Sequence, residues 1–219
     1  RISYNHDSCG NFPISISTKQ VFTGTESIVM SIEDLAIKHD WACFNASWYK
    51  QHYHAVISAF DLHDDGSIFR FYKDFGEKLG HSPNMFFDEE WYRMVYPDVL
   101  SLIESGKVSS GFEHYHQYGC KDRNPNCFFD EEFYCRTQVC MSPEQLEAHG
   151  LRNGYDHFLR YGAHEKRDAS LFFSTTLFIR ENPDFLYDDR NGIFAAFLEN
   201  ATDHTVVCLL YTSDAADDM

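Results

Sequence analysis

Long apolar runs, basic clusters and recognisable catalytic signatures are all missing from this chain. No apolar stretch approaches the roughly 20 residues that a membrane-spanning helix needs, so insertion into a bilayer is not expected. Lys and Arg number 18 against 34 Asp and Glu, a formal charge of −16. No basic run is dense enough to follow a phosphate backbone or an anionic lipid surface, which argues against a nucleic-acid partner. Gly-x-Ser-x-Gly, a phosphate-cradling glycine loop, His-Glu-x-x-His and the dinucleotide fingerprint are all absent. No cofactor and no metal are therefore expected. Nor does any Cys-x-x-Cys pair occur. With Cys208 set aside, since it stands in a C-terminal stretch of foreign pattern, Cys9, Cys43, Cys120, Cys127, Cys135 and Cys140 are spaced irregularly. Such spacing favours reduced, half-buried thiols over a disulfide framework.

What the chain does have is apolar and aromatic mass. Of 219 residues, 43% are hydrophobic and 16% aromatic, enough to bury a core and to exclude global disorder. The order of those residues is repetitive. Aligned on a phenylalanine, four segments match: FNASWYKQHY from Phe44, FDEEWYRMVYPDV from Phe87, FDEEFYCRTQV from Phe129 and FSTTLFIRENPDF from Phe173, at intervals of 43, 42 and 44 residues. A second anchor keeps the same period: FYKDFG ends at Gly76, HYHQYG at Gly119 and HFLRYG at Gly162, and AFLENA (196–201) is a weaker fourth copy. A fixed period of this length is the mark of a tandem repeat. Units near 44–84, 87–126, 129–170 and 173–201 are expected within a module spanning 42–205.

The first anchor reads as a helix start. The residue after each phenylalanine is Asn45, Asp88, Asp130 or Ser174. Each is a favoured N-cap, whose side-chain oxygen accepts from free N–H groups of the first turn. Five positions beyond the phenylalanine stands Tyr49, Tyr92, Tyr134 or Phe178, completing a hydrophobic staple across the cap. Glu89, Glu90, Glu131 and Glu132 then fall in the first turn, favoured there by the helix dipole. The acidic triplets are absent from the first and last copies, so capping ability recurs and charge does not. That excludes them as a repeated catalytic or metal site.

The rest of each unit reads as further short helices. Pro97, Pro143 and Pro183 suit first helical positions, with Ser142 and Asn182 as caps and Gln145 closing a capping box on Ser142. Gly106 and Gly150 suit left-handed closure of those helices, and a final helix should stop at Gly119 or Gly162. The fold class is thus mainly α: about four units of about three short helices each, stacked on one another because a single unit buries little. Residues 1–41 alternate in strand fashion at FPISIST and SIVMSI, read as the edge of an upstream domain plus a linker, and 31–38 could form an entering helix.

Several polar sets invite a functional reading. His52-x-His54 and His114-x-His116 lie in helical stretches, where residues two apart point in different directions, so neither pair is expected to hold a metal. His114 and His157 occupy equivalent positions, and burial against a backbone or carboxylate partner is expected for both. Asp98, Asp184, Arg123 and Arg167 also recur, as Arg–Asp bridges pinning inter-unit loops or as a polar binding set. Asp64-Asp65-Gly66 has no copy elsewhere and reads as a turn. Tyr115, Tyr118 and Tyr161 recur on the last helix; rings left exposed there could stack on sugar faces.

Taken together, FDEEWYRMVYPDV, HYHQYG and KDRNPN, with the echoes FDEEFY, HFLRYGAHEKRD and ENPDF, resemble a repeat of bacterial polysaccharide-building proteins that runs Phe-Asp-x-x-Trp/Tyr-Tyr, Pro-Asp-Val, His-Tyr-x-x-x-Gly, Gly-Arg-x-Pro. The resemblance covers about 44–201. Its Pro-Asp-Val is intact only at 97–99, and its glycine before arginine is replaced by Asp122 and Lys166. It implies a non-catalytic helical module beside glycosyltransferase domains of the parent chain, acting as spacer, docking surface or glycan-holding platform, with neutral glycans or other proteins as partners. Two other readings stay open: part of the transferase itself, with Asp64 and Asp65 near a metal and a nucleotide sugar, or the repeat region of a secreted adhesin. Val206–Met219 shares no pattern with the rest and resembles a translated sequencing adapter; it is set aside as a non-native tail. The chain opens at Arg1 without a signal peptide, which together with the tail suggests an internal fragment, expected in the cytoplasm.

Overall fold

A computed structural model describes residues 40–183 and 192–200. The strand expectation at 1–39, the entering helix at 31–38 and the tail at 206–219 lie outside the described residues. Among the described residues the chain is helical, with no strand. The first unit holds α1 (Ala46–His52), α2 (His54–Ala59) and α3 (Asp65–Phe71), the last continuing through a wide π-type turn at Tyr72–Gly76 into Glu77–Leu79. The second holds α4 (Glu89–Val95), α5 (Pro97–Glu104) and α6 (Gly111–Gln117). The third holds α7 (Glu131–Phe133), which widens through Tyr134–Val139, then α8 (Pro143–Ala148) and α9 (Gly154–His157), which widens through Phe158–Gly162. The fourth contributes α10 (Thr175–Glu181) and α11 (Ile193–Asn200).

The helices begin where side-chain oxygens can meet the first-turn donors. Asn45, Asp88, Asp130 and Ser174 accept from the N–H groups of Trp48, Trp91, Phe133 and Leu177 at 2.9, 3.0, 2.8 and 3.4 Å. The staple forms over each cap, with ring centroids 5.2 Å apart for Phe44–Tyr49, 5.1 Å for Phe87–Tyr92, 5.3 Å for Phe129–Tyr134 and 6.0 Å for Phe173–Phe178. Pro97 and Pro143 open their helices, and Ser142 with Gln145 forms the full capping box. Gly106 and Gly150 close α5 and α8 at φ of 71° and 73°, conformations that glycine adopts without steric cost. Asn182 closes α10, its side-chain amide donating to the Phe178 carbonyl at 3.0 Å, as Tyr96 closes α4 directly before Pro97. The helix that Asn182 and Pro183 are expected to open falls on residues outside the described ones.

Each of the first three units closes on its own beginning. The Asn45 N–H donates to the Pro83 carbonyl at 3.0 Å, Asp88 N–H to Pro125 at 3.0 Å and Asp130 N–H to Ala169 at 3.1 Å. The returning loop is tied a second time. The N–H groups of Ser82 and Asn124 donate to the hydroxyls of Tyr53 and Tyr96 at 2.9 and 3.0 Å, and Asp168 N–H to Gln138 Oε1 at 3.2 Å. Successive loops then join: Asn84 Nδ2 donates to the carbonyls of Trp41 and Cys43, and Asn126 Nδ2 to that of Phe86. These bonds satisfy backbone groups that a packed loop would otherwise strand away from water.

The core is not evenly shared. One buried cluster runs from Trp41 through Tyr92, Tyr115, Phe129, Tyr155 and Phe194 to Leu198, while the first unit keeps its own around Tyr49, Ile57, Ile68, Phe71 and Tyr72. Packing also reaches beyond the adjacent unit. Arg152 of the third unit bonds Asp40, ahead of the first, at 2.7 Å while lying over the Trp41 ring; nearer by, Tyr155 donates to the Phe86 carbonyl at the entry of the second unit at 2.8 Å. A simple stack with nearest-neighbour contacts alone does not describe this array. The thiol expectation is corrected in part: Cys43, Cys120 and Cys135 are free, whereas Cys127 and Cys140 are disulfide-bonded. Sequence spacing carries no distance information for such pairs.

Candidate functional site

The recurring polar residues converge at one place in each inner unit, where the first helix meets the start of the last. Glu89, fully buried, accepts from the Gly111 and Phe112 N–H groups at 2.7 and 2.8 Å. Glu131 accepts from Gly154 and Tyr155 at 2.6 and 3.0 Å. These carboxylates cap α6 and α9, helices 22 and 23 residues away, rather than serving only the dipole of their own helix. Glu90 and Glu132 remain exposed. A Cβ at Gly111 or Gly154 would press into the glutamate and the neighbouring tyrosine ring. Where the carboxylate is missing, the glycine is missing too: Ala46 is matched by the buried Ile68, and Thr175 by the buried Ile193. In the first unit α3 starts a turn earlier, so the Ile68 N–H is bonded by the Asp64 carbonyl at 3.1 Å and needs no carboxylate.

The two carboxylates differ in their company. Arg93 Nε donates to Glu89 at 2.5 Å. The equivalent of Arg93 in the third unit is Cys135, whose thiol donates to Glu131 at 3.3 Å. Burial raises the pKa of Glu89 and the Arg93 charge pulls it back, whereas Glu131, buried without that cation, is pushed up to about 7 despite the two N–H donors. The Cys135 thiol is itself pushed well up by burial and by Glu131, which leaves it protonated and a poor nucleophile.

A second recurring contact surrounds the glycine of the other anchor. Tyr92 Oη lies 3.0 Å from His114 Nδ1 and Tyr134 Oη 2.9 Å from His157 Nδ1, all four residues buried. The histidines' partner is thus a tyrosine hydroxyl, not the backbone or carboxylate expected from sequence. Burial lowers the pKa of both imidazoles, that of His157 to about 4, so each is neutral near pH 7 and shares a single proton with the phenol at Nδ1. Gly119 and Gly162 stand against those hydroxyls, and a Cβ at either would overlap the phenol oxygen. The last helix does end at Gly162 and, in the second unit, at Gln117, but close approach explains the residue type: φ is not positive at either glycine, and Gly76, their counterpart, sits inside a helix that continues to Leu79. In the first unit Phe71 takes the histidine's place and His81 supplies the nitrogen to Tyr49 at 2.7 Å. The fourth copy, with Phe178 for tyrosine, has Ala196 for histidine and Ala201 for glycine.

The remaining expected site residues fall into separate surroundings. Arg123 grips Asp98 with two bonds of 3.0 and 2.7 Å, which hold the Asp98 carboxyl below its usual pKa, and it lies over the Tyr96 ring. Arg167 instead pairs with Glu165 at 2.6 Å and donates to the Gln138 carbonyl; Asp184 lies outside the described residues. Tyr115 is completely buried and cannot present a ring to a ligand, Tyr161 is half-buried and Tyr118 is 65% exposed. Asp64 is a helix cap, not a turn residue, its carboxylate accepting from the Ser67 N–H at 2.9 Å. No group of three metal-ligating side chains occurs among the described residues. His114 is buried and His116 exposed, as two helical residues that far apart should be. No helix among the described residues is long and apolar enough to cross a membrane. Compared with known protein families, curated proteins and solved structures, the chain matches none.

Proposed function

We propose that this chain is a non-catalytic helical repeat module of a bacterial polysaccharide-building protein, working beside glycosyltransferase domains of the parent chain as a docking or glycan-holding surface. The observation behind this reading is the fate of the recurring polar groups. Glu89, Glu131, His114, His157 and Arg123 are each bonded to a partner within their own unit. Glu89, Glu131, His114 and His157 are also buried, out of reach of a substrate whose proton they would have to move. The resemblance of the repeat to polysaccharide-building proteins supplies the pathway, and exposed rings such as Tyr118 supply a surface on which sugars can stack.

The test has two arms. Incubated with nucleotide-sugar donors and divalent cations, the chain should release no nucleotide; sustained release would make it part of a transferase. In affinity electrophoresis through neutral polysaccharide gels the chain should be retarded, and the retardation should survive added salt, because stacking is not screened. Acidic polysaccharides should not retard a chain carrying a charge of −16. Unretarded migration through every neutral gel would remove the glycan-holding role.

A further inference from the structure

The first unit has an opening at the place where the second and third bury a glutamate. In the second and third units the position after the cap carries a glutamate packed against the last helix, and in the first it carries Ala46. A cleft of about 620 Å³ lies at this place, between Asn45, Ala46 and Ser47 on one wall and Asp65, Gly66 and Phe69 on the other. That volume is in the range of small-molecule sites, which run from about 300 to 1,000 Å³.

The walls have a definite chemistry. Phe69 is 45% exposed, whereas its counterparts Phe112 and Tyr155 are half-buried and buried. It leans on Phe44 with centroids 5.3 Å apart, and Phe44 is stacked in turn on Tyr72 at 4.9 Å, so the ring is braced from behind. The polar lining is mixed: the Asp65 carboxylate is an acceptor, the Ser47 hydroxyl can donate or accept, and the Asn45 amide has donors beyond the oxygen it uses as a cap. A braced aromatic face beside separate donors and an acceptor suits a ligand with an apolar face and hydroxyls at its edge. The carboxylate selects against acidic ligands.

We infer that this cleft is a binding subsite for a sugar ring without acidic substituents. The inference rests on the proposed glycan-holding role and gives it a location: the first unit, not the tyrosines of the last helices. Phe69 would stack on the C–H face of the ring while Asp65 and Ser47 bond its hydroxyls.

The experiment is titration calorimetry of the full chain with cellohexaose and maltohexaose, with an oligogalacturonate as acidic control. Phe69→Ala and Ser47→Trp are made in parallel, and helical circular dichroism checks that both keep their fold; each residue is exposed or at the cleft rim. Millimolar binding of at least one neutral hexasaccharide is expected, weakened at least tenfold by either substitution, with no response to the acidic control. Neutral binding that both variants retain overturns the cleft and leaves the glycan-holding role standing. Absence of neutral binding overturns the cleft, and the polysaccharide gels then decide the broader role on their own.

Discussion

The second and third units solve one problem with different neighbours. Each buries a glutamate to cap a helix that starts more than 20 residues later, but Glu89 has Arg93 beside it and Glu131 has Cys135. In the second unit the charge is compensated inside the unit. In the third, burial wins over two backbone donors, and the carboxyl's pKa is drawn up to about 7. The same geometry is thus held as an ion pair in one copy and as a titratable, weakly compensated acid in the other.

Removing the carboxylates should separate the two units most. Glu89→Ala strands Arg93 and two buried N–H groups and should cost about 3 to 5 kcal/mol, as broken buried pairs do. Glu131→Ala strands N–H groups only and should cost ~1 to 3 kcal/mol. Equal losses in chemical denaturation would erase the distinction between the units.

Titration should sharpen it. The Glu131 pKa is raised in the folded state, so its contribution to stability is complete below the ordinary value of 4.5 and is lost as pH rises through about 7. His157 works the other way: its pKa is lowered to about 4, so its contribution is complete above the ordinary 6.5 and is lost as pH falls toward 4. The two slopes oppose each other between about 4.5 and 6.5, which makes the difference between wild type and Glu131→Gln the informative quantity. That difference should fall with a slope of up to ~1.4 kcal/mol per pH unit across this window. Cys135→Arg, which copies Arg93, should flatten it; a pH-independent difference would remove the titratable acid.

The glycine contact should behave alike in both units. Gly119→Ala and Gly162→Ala each force a methyl group onto a tyrosine hydroxyl and should cost ~1 to 3 kcal/mol. Adding Tyr134→Phe to Gly162→Ala imitates the fourth copy and should recover part of the loss, a coupling visible in a double-mutant cycle. Additive losses would mean that the hydroxyl is not what excludes the methyl group.

The smallest effect separates the loops. Asp98→Ala releases the grip of Arg123 on a half-exposed carboxylate, a contact without its like in the third unit, and should cost less than ~1 kcal/mol. A cost comparable with that of Glu89→Ala would make the loop bridge a main support of the second unit.

Local rules made the helix starts legible in the sequence. A cap and its staple lie within five positions of one another, so Asn45, Asp88, Asp130 and Ser174 announce themselves by residue type alone. The buried work of Glu89 and Glu131 was harder to read, because the donors belong to a different helix and their approach depends on packing. Even so, the sequence carried a trace of it. Glu pairs with Gly in two copies, Ala with Ile and Thr with Ile in the others, and Tyr–His–Gly gives way to Phe–Ala–Ala as a set. The cleft left no such mark, since an alanine where two other copies have glutamate reads as the loss of a charge and not as the opening of a space.

A unit whose entry and exit are joined by a hydrogen bond, as Asn45 is to Pro83 and Asp88 to Pro125, is an insertable cassette. The chain leaves such a unit where it came in, so a copy can be added or removed without lengthening a crossing or orphaning the backbone at the seam. What must be matched are the contacts a cassette makes across its seams, such as Tyr155 with Phe86 at the entry of the second unit or Arg152 with Asp40 ahead of the first. Duplication by single units is therefore cheap in backbone and costly in side chains.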